Sequence, residues 1–259
     1  CPAFSAYCPA PLCPTIKGLG LSKNGDFTAL GGLASSAVGS QIKGMKTLPE
    51  PMVRLAVILA ALAGFVDVLA FLSLGGFFAS FMSGNSTRLA IGIGGNGAEA
   101  MLAAGLILAF IGGVMGGTIV GERGGTRRLS AILALVAALI ALCALVTSFT
   151  IAQNLGSAPL LLLAAAMGAL NTLFSRDASS SVALTYMTGT LVRLGQGLAH
   201  AASGKGTTAD WLPYLMAWGA FLGGGLIGVG LYWRIGLTAL WLAVLTAGLL
   251  SWRLWPRST

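Results

Sequence analysis

The sequence predicts an all-α, polytopic membrane helix bundle of two inverted repeats, each with three spans plus one re-entrant or broken segment. Three observations carry this expectation. Hydrophobic residues make up 56% of the 259, charged residues only 8%, and mean hydropathy is +0.87. A soluble domain carries about 25% charged residues and could not cover a water-facing surface with a third of that. Long apolar segments recur from residue 51 onward, and a motif in the first half returns in the second.

Residues 1–44 stand apart. They open CPAFSAYCPAPLCPTIKG and continue rich in Gly, Ser and Ala without periodicity. Such a stretch buries too little apolar surface to offset its ordering entropy, so a disordered extension is expected. It also lacks the basic start and continuous apolar core of a secretory signal. Met45 reads as a natural start, with the membrane repeats over 45–152 and 153–259.

Eight apolar segments follow, at about 52–74, 77–94, 99–120, 129–149, 159–175, 180–200, 211–232 and 236–252. A spanning helix needs about 20 apolar residues. The first, third, fourth and seventh segments meet that comfortably, and the fifth and eighth sit at the short end. The second and sixth are polar in the middle and each carries an arginine, Arg88 and Arg193.

The net charge of +8 is topological rather than a nucleic-acid footprint, because basic residues sit at the ends of apolar runs without aromatic interleaving. If all eight segments spanned, Lys and Arg would divide six to five between the two sides. If the second and sixth enter and leave on one side, ten fall on one side and Arg234 alone on the other. Lys and Arg in short loops favour the cytoplasm. Six spans, both termini cytoplasmic, in the plasma membrane of the cell (the inner membrane of a bacterium), is therefore the expected threading.

The repeat is explicit. Phe81-Met82-Ser83-Gly84-Asn85-Ser86-Thr87-Arg88-Leu89 aligns with Tyr186-Met187-Thr188-Gly189-Thr190-Leu191-Val192-Arg193-Leu194 at an offset of 105, with four of nine positions identical. Gly64-Phe65-Val66-Asp67 matches Gly168-Ala169-Leu170-Asn171 upstream, and Phe110-Ile111-Gly112-Gly113 matches Phe221-Leu222-Gly223-Gly224 downstream. With three spans per half, the second half must lie upside down relative to the first. Inverted repeats with interrupted helices near the midplane recur in transporters; an old duplication in a static bundle is the plainer reading.

Residues 64–92, GFVDVLAFLSLGGFFASFMSGNSTRLAIG, and 183–199, ALTYMTGTLVRLGQGLA, resemble the YoaK family of bacterial membrane proteins. The likeness covers about 50–255: Asp67 matches an acidic position, Ser83-Gly84-Asn85 a T-G-N motif with Ser for Thr, and Thr188-Gly189-Thr190-Leu191 a T-G-T-L motif. It implies a multi-spanning protein and no particular mechanism. A looser likeness, Gly117 to Arg128, looks like the cytoplasmic loop of major-facilitator transporters with its acid displaced and its spacing slipped by one; it agrees with an inner placement of that loop.

Asp67, deep in the first segment, costs about 2.5–3.5 kcal/mol even on lenient insertion scales. It must face protein or water, either as a proton or cation site or as a helix-packing contact. Arg88 or Arg193 is its expected partner, unless both bind an anion or snorkel to the interface. Gly84 and Gly189, flanked by Ser83, Asn85, Thr188 and Thr190, suit a helix break facing a cavity. One acid facing two arginines, with Asn171 replacing the acid in the second repeat, would form a net positive pocket for a small polar or anionic solute. Glycines at 112, 113, 116 and 117, and between 219 and 230, read as close-packing ridges.

No metal or other cofactor is expected, with a lone histidine, His200, and no CxxC pair. An intramembrane enzyme lacks support: neither H-E-x-x-H nor G-x-S-x-G occurs. A secondary transporter or permease is the leading expectation, with a non-transporting assembly or signalling component as the alternative. The lipid bilayer is the expected partner, no nucleic-acid partner is expected, and the sequence leaves the number of subunits open.

Overall fold

A computed structural model of the chain describes residues 49–149, 158–174 and 185–255. The expected disordered extension over 1–44 lies outside the described residues. Among the described residues, eight α-helices, joined in places by single 3₁₀ turns, fall on the eight apolar segments: α1 (Glu50–Ser73), α2 (Met82–Gly94), α3 (Gly97–Gly124), α4 (Arg128–Phe149), α5 (Leu161–Asn171), α6 (Met187–Ala202), α7 (Leu212–Ile235) and α8 (Leu240–Arg253). Among the described residues no strand occurs. Among the described residues, three helical runs, Glu50–Ser73, Gly97–Ser148 and Leu212–Arg253, are long and apolar enough to cross a membrane, the second and third each made of two helices joined at a 3₁₀ turn.

Local chemistry sets the ends. Pro51 lies in the first turn of α1, where its missing N–H costs nothing, and Glu50 adds a favourable charge there. Gly75 and Gly76 adopt φ of 66° and 97°, which lets the chain leave α1 by a reversal closed from the Gly76 N–H to the Phe71 carbonyl at 2.8 Å. The Asn96 side chain caps α3 by accepting from the Ala98 N–H at 3.2 Å. The two longer stretches are interrupted by Gly125 (φ 51°) and Gly236 (φ 61°), which lie 111 residues apart, the same offset as Phe110 and Phe221.

The helices pair across the halves. α1 packs on α7, α3 on α5, and α4 on α8, while α2 leans on α3 and α6 on α7. In the α1–α7 crossing, a Cβ at Gly64 would strike the Phe221 carbonyl oxygen, and one at Gly224 the Ala61 carbonyl oxygen. In the α3–α5 crossing, Gly168 meets the Phe110 carbonyl and Gly113 the Ala165 carbonyl in the same way. The two crossings therefore use the same four positions of the repeat. Glycine is required because the backbones themselves touch, so the packing expected of the ridges is found at Gly113 and Gly224. Gly112, Gly219, Gly223 and Gly230 instead face open space.

Helix direction follows from which residues meet. Ala61 with Gly224 and Phe65 with Gly228 make α1 and α7 parallel; Ala165 with Gly113 and Ala169 with Gly117 do the same for α5 and α3. Gly121 beside Ile132 and Gly116 beside Leu135 make α3 and α4 an antiparallel hairpin. The Ser251 hydroxyl donates to the Ser130 carbonyl at 2.8 Å, and Arg127 stacks on Trp255 at 4.7 Å, so α8 ends where α4 begins. α4 and α8 are antiparallel.

The helices α1 and α5 occupy the middle: every residue from Leu62 to Asp67, and from Met167 to Leu170, is buried. The outer helices show apolar side chains such as Ile93, Met101 and Leu226 at 75%, 76% and 65% exposure, as befits a surface meeting lipid rather than water. Hydroxyls within the helices turn back onto their own carbonyls, as Thr118 does to Val114 at 2.8 Å and Thr246 to Leu242 at 2.7 Å.

Candidate functional site

The site begins where α1 stops. After Ser73 the chain runs through residues 74–81 without helix, then enters α2. Asp67 holds this loop: its Oδ1 accepts the backbone N–H groups of Ala79 and Ser80, each at 2.8 Å, and its Oδ2 accepts the Ser80 hydroxyl at 2.9 Å. Asp67 lies six residues before the end of α1, so the loop folds back by about 9 Å along the helix axis to reach it. Backbone donors that would otherwise be orphaned in an apolar interior are thereby satisfied.

From the other side α2 grips the same loop. Asn85, fully buried, accepts from the Phe78 N–H at 3.0 Å and donates to the Phe78 carbonyl at 2.7 Å, replacing a strand partner with one amide side chain. The Arg88 guanidinium lies 4.6 Å from the centre of the Phe77 ring and packs on Gly76. Arg88 therefore steadies the loop through a cation–π contact. The expected Asp67–Arg88 ion pair is not what forms: the acid's bonds are taken by backbone and hydroxyl donors, and an arginine stacked on Phe77 completes the clamp from outside. Arg193 sits on α6, half-buried.

The second half repeats the clamp with an amide. Asn171 Oδ1 accepts from the Thr185 N–H at 3.2 Å, its Nδ2 and the Thr185 hydroxyl lie 2.9 Å apart, and Nδ2 also donates to the Met167 carbonyl at 2.8 Å. Ser80 and Thr185 are separated by the 105 residues of the motif offset. The correspondence seen in the sequence thus extends one residue upstream, to a hydroxyl in each half; the conservative Ser–Thr exchange beside the aligned nine residues was the available signal.

Gly84 and Gly189 serve a different purpose from the expected helix break. Both lie inside the first turn of their helices, and the interruption comes before them. The ring of Phe81 folds onto Gly84 and that of Tyr186 onto Gly189, so a Cβ at either position would collide with the preceding aromatic. The Thr190 hydroxyl donates to the Tyr186 carbonyl at 3.2 Å, within that same turn.

The beginnings of α2 and α6 share one cavity of about 330 Å³. Four equivalent pairs line it, Ser80 with Thr185, Phe81 with Tyr186, Met82 with Met187 and Ser83 with Thr188, together with Asn171 and Phe110. Of the residues singled out by sequence, Ser83, Thr188 and Asn171 reach the cavity wall. Asp67 stands one bond behind it through Ser80, while Gly84, Asn85, Arg88, Gly189, Thr190 and Arg193 build or flank the two helix starts without lining it. The expected pair of arginines is absent from the lining, so the pocket is not the arginine-rich one anticipated. No group of three or more His, Cys, Asp or Glu residues able to hold a metal occurs among the described residues.

Residues 55–252 match the family described as "Protein of unknown function (DUF1275)". The chain is also 33% identical over 191 residues to a UPF0700 transmembrane protein of Rhizobium meliloti (strain 1021), an alignment covering 73% of this chain and 80% of that protein. No solved structure matches. Neither match carries the YoaK name, with which both are consistent. Apolar helices that leave hydrophobic side chains outermost, polar groups satisfied inward, and a transmembrane relative aligned over most of its length agree on one statement: this chain is a membrane protein and belongs to the DUF1275 family.

Proposed function

We propose that the protein is a secondary transporter, or permease, for a small polar solute, built from two inverted repeats that exchange conformations around the shared cavity. The observation that carries this reading is the cavity wall itself, in which four positions of one repeat face their own equivalents from the other. A site on the symmetry element of a duplicated bundle can open to either side by an exchange of roles between the halves. Inversion is supported by α4 and α8, equivalent helices that meet antiparallel.

The six-span reading rests on the ten-to-one division of Lys and Arg and on the polar first turns of α2 and α6. It does not rest on helix length, since α5 with 11 residues and α8 with 14 are as short as α2 with 13 and α6 with 16. In this reading the Glu122–Arg128 loop and both termini are cytoplasmic, in the plasma membrane. An impermeant thiol reagent added from outside should fail to label Gly125→Cys in an otherwise cysteine-free chain; ready labelling would sink the threading.

Asp67 is the natural proton carrier, since Asn171 at the equivalent position cannot take up a proton. Deleting the gene and profiling uptake against a metabolite panel should reveal a solute whose entry is lost, and Ser83→Trp, which fills the cavity, should fail to restore it. Normal uptake across the panel, or full rescue by Ser83→Trp, would leave a non-transporting assembly role instead.

A further inference from the structure

We propose that the end of the bundle where α3, α4 and α8 meet binds an anionic phospholipid, with its phosphate at Arg127 and Arg253 and its acyl chains along α8. This is independent of the transporter reading. α3 ends and α4 begins here, and the Ser251–Ser130 bond brings the end of α8 to the same place. Three exposed arginines gather as a result: Arg123 in the last turn of α3, Arg127 in the 3₁₀ turn that follows, and Arg253 in the last turn of α8. The exposed Glu122 offsets one of them. Arg128 is turned inward, donating to the Thr172 carbonyl at 2.9 Å, and is not counted. Arg176 and Asp177 lie outside the described residues and offset each other, while Arg257 beyond Trp255 is positive, so the sign of this end is not reversed.

Charge alone would make a diffuse patch; two tryptophans make a site. The Arg127 guanidinium stacks on Trp255 at 4.7 Å, which fixes its plane. Stacking engages the face of the group, whereas its N–H donors lie in the plane, in the fork that takes a phosphate two bonds at a time. Arg253 lies two residues before that ring, and Trp252, 68% exposed, lies beside it. Exposed Leu242, Leu245 and Leu249 continue from Trp252 along one face of α8, at helical spacing. Tryptophan at the end of a spanning helix sits at headgroup level, which places those leucines at the depth of the acyl chains. A soluble anion or an acidic protein segment would meet the arginines only. A phospholipid meets both the arginines and the leucines. At the other end of α8, where α7 stops, Arg234 stands beside Trp233, whose ring meets Tyr232 edge to face. That end provides an internal control.

The full-length protein in neutral detergent is titrated with phosphatidylglycerol or with phosphatidylcholine of the same chains, and bound lipid is counted by native mass spectrometry. Phosphatidylglycerol should be retained about tenfold more tightly than phosphatidylcholine. Arg127→Gln and Arg253→Gln should each weaken its retention by about fivefold, the worth of one arginine at an anionic surface, and Arg234→Gln by no more than about twofold. Trp255→Leu leaves the charge unchanged, yet should weaken retention by about threefold because Arg127 loses its ring. Should a glutamine variant fail to fold, the corresponding lysine variant keeps the charge, loses the fork, and should weaken retention by about twofold. Equal retention of the two lipids overturns the proposal. Equal losses from all three arginines, or no loss from Trp255→Leu or the lysine variants, overturn it too, by reducing the site to diffuse charge. Glycerophosphoglycerol, the headgroup without its chains, serves as competitor and should displace the lipid only in large excess. Displacement at the lipid's own concentration overturns the phospholipid in favour of a free phosphate ester.

Discussion

Ser80 and Thr185 line the same cavity and are held in place by different chemistry. In the first half a carboxylate receives two backbone N–H groups and a hydroxyl. In the second, among the described residues, an amide accepts the Thr185 N–H, exchanges a hydrogen bond with the Thr185 hydroxyl, and donates to a carbonyl of its own helix. The geometry is shared, but only one clamp can change its charge. The difference teaches that the repeat preserves architecture while assigning ionisation to a single side.

The sharpest way to break the comparison is to remove each anchor. Asp67→Leu strands two backbone donors and the Ser80 hydroxyl in an apolar interior, and should destabilise by about 3–5 kcal/mol. Asn171→Leu strands the N–H and the hydroxyl of Thr185, which had an uncharged amide as partner, and should cost about 1–3 kcal/mol. Thermal unfolding of the detergent-solubilised protein checks both; equal losses would show that the carboxylate holds nothing the amide does not.

Asp67→Asn sharpens it. The amide oxygen can still accept the Ala79 and Ser80 N–H groups, as Asn171 does for Thr185, so the protein should remain folded at wild-type membrane level. Proton-coupled uptake should nevertheless be abolished, measured as solute entry driven by a pH gradient in proteoliposomes. A mutant that still concentrates solute would move the coupling elsewhere.

Smaller effects follow at the periphery of each clamp. Arg88→Gln removes the cation over Phe77 and should cost about 0.5–2 kcal/mol. Ser80→Ala deletes one hydroxyl bond while both backbone bonds to Asp67 persist, and should cost about 1 kcal/mol. Thermal unfolding ranks the pair, and the order Asp67→Leu, Asn171→Leu, Arg88→Gln, Ser80→Ala is the expected one.

Much of this was legible in the residues. Apolar segments located the helices because a bilayer demands them, and the paired motifs located both cavity-forming helix starts because duplication left side chains in register. The destination of Asp67 was not legible: its main partners are backbone amides of residues 79 and 80, and every non-proline residue carries an amide. Nor was the role of Gly84 and Gly189, because a glycine that makes room for a ring looks the same in sequence as one that breaks a helix. Arg88 misled for a related reason. A lone acid invites a basic partner, whereas Phe77, half-hidden in a run of aromatics, offered the arginine a ring instead.

The crossed pairing also places the two glycine crossings at different moments of synthesis. α5 emerges after α3 and can dock at once, with Gly168 against Phe110. α1 must wait for Phe221 and Gly224, about 160 residues later. At about 5–20 residues per second that is a delay of roughly 8–30 seconds. Through that interval the glycine face of α1 has no permanent neighbour, although Asp67 can already engage its own loop once Ser80 has emerged. The early clamp would then leave α1 with its acid satisfied while its long-range partner is still unmade.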